Sequence, residues 1–536
     1  MRWIAVALAF VATAGCRHAP PAVAPADLIV DEVRFEGLDA LPLPASEDFR
    51  DEFPLASGDT LTSEAEQTAG GKAVEALQDH GYPYAQVSIA REPVDAKRVR
   101  LIVRAEPGTE GFFGRVDIAG NRRVDDAIIR RRITYLPGDL FRRSAILLTQ
   151  QRIGALGLFK SVEIRAHDID LQPAEVPTLI TVEERNPWQW NASVGYAAAE
   201  RLGVDARVSH LNFLGSARRL DLEGRVSKIE RSGGIALTQT DTWHPALSWS
   251  VQARQREIDE RAFFALSRGG QGALTWQWTR ELASTFSYAA AFERSDIGPE
   301  LELLTGLQNG MLNAWSIDLD HRSPPLFSLP YGGWLGGEPR PSALQPGTSL
   351  TRAFTLHIEQ AGGWMPGTFN YHNVIGDARI YREVFNERVT LAGRARYGAI
   401  DAATGEADIP LLKRFFLGGS EEMRAWSIYE VSPLSNSGTP TGGKSLFSLT
   451  GEARFPIFWR VRGAVFLEAG NVWHDPWAVE LGSLLYDAGP GLRFDTPYGL
   501  IRVDFGYQLK TLDGLRIDGQ PQKHRWRINF GIGEAF

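Results

Sequence analysis

The sequence predicts an α+β pair of repeats followed by an all-β transmembrane barrel of about sixteen antiparallel strands. Three observations carry this expectation. A strand–helix–helix–strand–strand order occurs twice between residues 27 and 185, and apolar–polar alternation runs from residue 186 to the end. The composition supplies 54 Gly, 15 Trp and 27 Phe, which suits tight turns and aromatic girdles, and after the N-terminus no long apolar run is present.

The one apolar run follows Arg2, from Ile4 to Ala14, and is too short to cross a bilayer. It reads as a secretory signal peptide over residues 1–15. Two processing sites stay open: Ala12-Thr13-Ala14 is a small-x-small site before Gly15, and Ala14-Gly15-Cys16 is similar to a lipoprotein site at which Cys16 would be acylated, with Thr13 where such signals usually carry Leu. Cys16 is the sole cysteine, so no internal disulfide and no thiolate metal site is expected. A net charge of −8 without a basic block argues against a nucleic-acid partner.

A Pro/Ala linker over residues 16–26 leads to the first repeat, residues 27–106. Ile29 to Gly37 alternates as a strand, Ser57-Gly58-Asp59 turns, and Ser63 with Glu66 suggests a capping box opening a helix. Leu77 to Val87 passes a Gly81-Tyr82 turn into a strand, and Val99 to Val103 closes the unit. The second repeat, residues 110–185, begins with Gly114-Arg-Val-Asp-Ile-Ala-Gly120-Asn121 and turns at Pro137-Gly138-Asp139. Its helix ends in Ala155-Leu-Gly157, and strands follow at Leu158 to Ile164 and Leu179 to Val182. Small sheets of this kind have exposed edges, onto which an extended peptide adds by main-chain hydrogen bonds without sequence specificity. The order, with the phrases Gly-Asn-Arg-Arg and Leu-Gly-Leu-Phe-Lys-Ser-Val, resembles the POTRA domains of bacterial outer-membrane assembly factors.

From residue 186 the texture changes. Trp188, Trp190, Ala192, Val194 and Tyr196 share one parity, and Gln189, Asn191, Ser193 and Gly195 the other. Ile501, Val503, Phe505, Tyr507 and Leu509 likewise alternate with Arg502, Asp504, Gly506, Gln508 and Lys510. Arg, Asp and Lys on the inner face are too costly for a dry sandwich core and natural in a wet lumen. Sixteen such segments start near residues 188, 203, 218, 233, 247, 268, 284, 308, 350, 368, 388, 445, 459, 485, 500 and 524. An even count returns both ends of the barrel to the periplasmic side. Residues 323–347, rich in Pro and Gly, read as an insertion at a periplasmic turn that opens with Asp320-His-Arg322. The chain closes with Trp526-Arg-Ile528-Asn-Phe530-Gly-Ile532 and a terminal Phe536, an aromatic last strand of the kind by which barrels are themselves recognised for insertion.

The longest connection, residues 401–444, is extracellular by parity, and long loops of barrels often fold inward. It contains Arg414-Phe-Phe-Leu-Gly418-Gly419 and Met423-Arg424-Ala425-Trp426, which resemble the loop motif of the BamA/TamA superfamily. That motif usually reads Val/Ile-Arg-Gly-Phe/Tyr, so Ala425 stands in place of its Gly and Trp426 in place of its aromatic. Phe466-Leu-Glu468-Ala-Gly470-Asn471-Val-Trp473 is similar to a second motif, with Glu for Asp, and Gly489 to Asp504 to a third. The resemblance implies that Arg424 reaches into the lumen and bonds acidic residues on the strands that follow. The register turns Glu452, Arg454, Arg462 and Glu468 inward, which makes Glu468, and secondarily Glu452, the expected partners.

The same resemblance implies an assembly or translocation factor that binds unfolded outer-membrane or secreted clients on its POTRA domains. It implies periplasmic or lipoprotein accessory factors, and a barrel that opens in the bilayer between the strand of Trp188 and Trp190 and the strand of Phe530 and Phe536. No cofactor, metal or catalytic residue is expected: the chain shows no Gly-x-Ser-x-Gly, no His-Glu-x-x-His and no phosphate loop, and its ten His lack ligand spacing. Two readings compete. One is a two-partner secretion transporter, although the short linker leaves no room for that group's plug helix, and the other is a passive porin or structural anchor.

Overall fold

The computed structural model describes residues 28–166, 173–197, 201–240, 242–244, 246–260, 263–296, 309–323, 350–385, 388–496, 499–517 and 519–532. The chain divides after Glu184 into two units. The segment of the expected signal peptide, Cys16, the 323–347 insertion apart from its first residue, and Phe536 lie outside the described residues.

In the first unit, β1 (Leu28–Glu36), α1 (Leu43–Glu52), β2 (Thr60–Leu61), α2 (Ser63–Asp79), β3 (Gln86–Pro93) and β4 (Arg98–Glu106) build one repeat. Its sheet has the order β2-β1-β4-β3, with β1 parallel to β4. Helix α2 buries Ala69, Ala73, Ala76 and Leu77, one face at helical spacing, against Phe49 of α1 and Val103 of β4. The expected capping box is displaced by one residue. Thr62, not Ser63, caps α2, its hydroxyl accepting from the Ala65 N–H at 3.1 Å, and Glu66 instead accepts from Arg91 Nε at 3.0 Å.

The second repeat consists of β5 (Phe112–Ala119), α3 (Asp126–Arg130), α4 (Arg143–Gly154), β6 (Phe159–Ala166) and β7 (Glu175–Glu184), in the sheet order β5-β7-β6. Glycine at the end of the first strand is required in both repeats. Gly37 and Gly120 have φ of +82° and +93°, and a Cβ would lie 2.1 Å from the Ala105 carbonyl oxygen and 2.0 Å from that of Val182. The repeats are tied together by the Ser144 N–H on Asp79 Oδ1 (2.7 Å) and the Gly111 N–H on the Gly81 carbonyl (2.8 Å). Strands β3 and β6 stand at sheet edges.

Among the described residues, the second unit forms one antiparallel sheet of sixteen strands, beside a separate two-stranded hairpin. Its first half is β8 (Trp188–Ala197), β9 (Arg201–Phe213), β10 (Arg218–Val226), β11 (Glu230–Gln239), β12 (Leu247–Asp259), β13 (Phe264–Gln277), β14 (Leu282–Asp296) and β15 (Asn309–Ser323). The second half is β16 (Leu350–Ala361), β17 (Tyr371–Val384), β18 (Val389–Ala402), β19 (Ser445–Phe458), β20 (Val461–Trp473), β21 (Leu485–Thr496) and β22 (Gly499–Gln508), closed by β25 (Trp526–Ile532). A short hairpin, β23 (Arg516–Ile517) with β24 (Gln520–Pro521), precedes the last strand. The widest departure from the expected starts is at β13, which begins at Phe264 rather than near 268.

Alternation decides the two faces. In β20, Val465 and Leu467 are exposed on the outer surface, whereas Phe466 and Glu468 are buried inside. The first and last strands, β8 and β25, lie side by side, yet among the described residues no ladder joins them.

Candidate functional site in the lumen

The loop between β18 and β19, residues 403–444, carries its own apolar core. Ile409, Phe415, Leu417, Met423, Trp426 and Val431 pack with Leu446, Val472 and Leu485 of the wall. Short bridges between Phe415 and Gly443 and between Leu417 and Val431 fold it back on itself. Gly418 and Gly419 have φ of +113° and +112°, and at Gly418 a Cβ would meet the Ser427 carbonyl at 2.0 Å. Met423 is also left-handed, with φ +53°. Ala425 is not among the positive-φ residues, so the tip asks for conformational freedom two positions before the residue that replaces the family's glycine.

Arg424 is fully buried. Its Nε donates to Glu468 Oε1 (3.1 Å), its backbone N–H to Glu468 Oε2 (2.6 Å), and Nη1 to Glu452 Oε2 (2.7 Å) and Asp504 Oδ2 (3.3 Å). The guanidinium carbon sits 3.5 Å from the centre of the Phe466 ring. Arg493 bonds Asp504 (2.5 Å) and Glu452 (3.2 Å), and Arg454 bonds Glu452 (2.7 Å). The carboxylates are thus shared among several guanidinium groups, which is the condition under which buried charges are tolerated.

The loop backbone is held as firmly as the side chain. The Ala425 N–H donates to Asp487 Oδ2 (2.8 Å), and the Ala425 carbonyl accepts from Gln508 Nε2 (3.0 Å). The Arg424 carbonyl accepts from Asn529 Nδ2 of the last strand (2.8 Å). Gly506 on β22 allows this close approach, because a Cβ there would lie 2.8 Å from the Ala425 nitrogen. Gly418, Gly419, Met423, Arg424, Ala425, Trp426, Glu452 and Glu468 therefore occupy one site, while Trp188, Trp190 and Phe530 face outward on the first and last strands.

Several contributors are absent from the sequence reading. Glu422, buried two residues before Arg424, bonds Arg394 (2.9 Å) and Arg396 (3.3 Å) on β18, and Arg394 also grips Asp377 (3.0 Å through Nε). The available signal is a pair of lumen-facing arginines two residues apart on one strand, which calls for an acid from elsewhere. At its near end the loop is tied by Lys413 to Glu359 of β16 (2.8 Å), which also accepts from the Tyr371 hydroxyl (2.7 Å). Among the described residues no group of His, Cys, Asp and Glu is arranged to hold a metal ion.

A model of the Omp85 superfamily domain matches residues 212–536, more than half of the chain. The chain belongs to the Omp85 superfamily. The surface antigen variable number repeat, the POTRA family, matches residues 28–108 and 112–185. Outer membrane protein assembly factor BamA of Neisseria meningitidis serogroup B is 20% identical over 517 residues, covering 87% of this chain and 62% of the relative. BamA of Neorickettsia risticii is 22% identical over 480 residues, covering 86% and 60%. The chain spans about three-fifths of the length of these curated relatives. BamA from Haemophilus ducreyi lacking POTRA domains 1–3 superposes with a TM-score of 0.77 at 15% identity, over 94% of this chain and 99% of that one. CdiB from Acinetobacter baumannii gives 0.51 at 13% identity, over 94% and 89%. As an Omp85 protein the chain is an outer-membrane β-barrel with POTRA domains in the periplasm.

Proposed function

We propose that this Omp85 protein is an outer-membrane assembly factor that receives unfolded clients on its POTRA domains and passes them into the bilayer between β8 and β25. The observation that carries the reading is the connection of the buried loop to the seam. Asn529 of β25 bonds the backbone of Arg424, while β25 has no ladder to β8 among the described residues. No reacting group is needed. A client strand reaching lipid gains backbone pairing where an unpaired amide costs several kcal/mol, and an unladdered strand edge is the template that supplies it. Strands β3 and β6, at the edges of the POTRA sheets, offer the same main-chain pairing to an extended client beforehand.

Two-partner secretion and a passive porin make different demands. Depletion of the protein, followed by comparison of the outer-membrane proteome, separates the three. The assembly reading predicts loss of many barrels, whereas loss of one secreted protein points to a dedicated transporter and an unchanged proteome to a porin or anchor.

A further inference from the structure

Three arginines stand abreast on the inner wall beside the seam. Arg462 of β20, Arg493 of β21 and Arg502 of β22 are directly opposite one another in register, and the next residue in the row is Gly531 of the last strand, β25. Like charges placed opposite one another repel, so each needs an acid of its own. Arg462 has Asp495 (2.7 Å), and Arg493 has Asp504 (2.5 Å) with Glu452 (3.2 Å). Arg502 has no equivalent. Its ion pair with Asp504, at 3.6 Å from Nε, is beyond hydrogen-bond reach, and Asp504 already accepts from Arg493 and Arg424. Arg502 is nevertheless only 3% exposed, and its Nε and Nη1 have no hydrogen-bond partner among the described residues. A guanidinium taken out of water and left without acceptors is costly, and its donors call for an anion.

The position of the side chain indicates which anion. A Cβ at Gly531 would lie 3.0 Å from Nη2 and 3.3 Å from Nε of Arg502, so the guanidinium lies against the inner face of the seam strand, where glycine leaves it room. Beside β25 is β8, to which no ladder joins it among the described residues. A strand entering there runs about 5 Å from β25, and an acid on its inward face comes within reach of the guanidinium across Gly531. We propose that Arg502 is a recognition site for a carboxylate carried by an entering client strand. The proposal rests on the seam reading above and adds a chemical preference to it. Main-chain pairing at a free edge is indifferent to sequence, whereas a charge-assisted bond to a buried guanidinium distinguishes one strand from another. The carboxylate belongs either to an inward Asp or Glu or to the end of the client chain, and the experiment separates these two sources.

The test uses the full chain in lipid nanodiscs, with synthetic peptides of its own last strand, residues 526–536, as strand probes. One peptide carries no carboxylate, having Glu534→Gln and a C-terminal amide. A second adds Gly531→Glu to it, and a third restores only the free chain end. Each bears an N-terminal fluorophore and a photo-crosslinking phenylalanine analogue at position 530. The second or the third peptide is expected to bind about tenfold more tightly than the first, and the one that gains identifies the source. Arg502→Met in the protein should erase the gain, and Arg502→Lys should keep part of it. Arg502→Met should also leave the unfolding temperature of the barrel no lower, because an apolar chain replaces a buried cation that makes no hydrogen bond through Nε or Nη1. A lower temperature would show an ordinary structural ion pair and overturn the proposal. With crosslinks on β8 or β25, equal binding of all three peptides, or a gain that survives Arg502→Met, overturns the proposal and leaves the seam reading intact. Crosslinks that avoid both strands contradict the seam reading and the proposal together.

Discussion

Asn529, in the last strand of the barrel, donates a hydrogen bond of 2.8 Å to the carbonyl oxygen of Arg424, at the tip of a loop folded into the lumen. The same arginine reaches Glu452 on β19, Glu468 on β20 and Asp504 on β22. The loop tip thus holds the wall from β19 to the seam strand as one unit, and changes at the tip should be felt at the seam.

Replacing Arg424 by Ala leaves buried Glu468 without its guanidinium partner and removes one of the cations on Glu452 and Asp504, which keep Arg454 and Arg493. Loss of one partner in such a cluster costs about 3–5 kcal/mol. We predict that Arg424→Ala releases the loop, seen as protease cleavage near residues 420–427 in intact membranes, and that Arg424→Lys restores protection only in part. Lysine keeps the charge but lacks the planar set of donors.

Asn529→Ala removes one neutral hydrogen bond, worth about 1 kcal/mol. The loop is expected to stay buried, because its ionic contacts remain. Amide exchange in β25 should become faster while protection of the loop is unchanged, a pattern that separates the seam contact from the lock itself.

Glu422→Gln is expected to weaken the grip of β18 on the loop by about 1–2 kcal/mol, since the ion pairs with Arg394 and Arg396 become hydrogen bonds from a charged donor to a neutral acceptor. Arg394 retains Asp377, so folding of the barrel should persist. A charge exchange, Glu422→Arg with Arg396→Glu, should recover part of the loop's protease resistance, whereas Glu422→Arg alone should not.

Gly506→Ala places a methyl group against the backbone of Arg424 and Ala425. Overpacking of this kind costs about 1–3 kcal/mol, and its effect should match that of Arg424→Lys in the protease assay although no charge is altered.

The POTRA unit contains a pH-sensitive clamp. Burial raises the pKa of Glu184, but the N–H groups of Arg123, Val124 and Arg122 and the Arg123 guanidinium outweigh it and hold the carboxyl at about 2 rather than 4.5. A depressed folded-state pKa means that the stabilisation is complete above about pH 4.5 and lost as the pH falls toward 2. Thermal unfolding of the repeats should therefore fall over that window in the native chain, and the decline should be smaller in Glu184→Gln.

Period-two alternation made the strands legible, because one face meets lipid and the other a polar lumen. Where the inner face is apolar, the signal fades. Phe263 and Ala265 pack beneath Leu411 of the loop, and there the expected start of β13 came late. Glu452 and Glu468 were readable as inward acids beside a motif arginine. The alternation also turns Asp504 inward, but only the register of β20, β21, β22 and β25 brings it, with Asp487 and Asn529, to the loop tip. Glu422, in a polar Gly- and Ser-containing stretch, has the local look of a solvated charge, and only the arginines on β18 reveal otherwise. The cap at Thr62 rather than Ser63 is a one-residue choice between two competent hydroxyls, set by where the preceding strand β2 ends.

The proposed route of clients into the bilayer runs between β8 and β25. Its most direct measurement is insertion of a client barrel into proteoliposomes by a Cys16→Ser variant with one cysteine in β8 and one in β25. With the disulfide formed, insertion should stop, and reduction should restore it. Undiminished insertion through the oxidised seam would contradict entry between these strands.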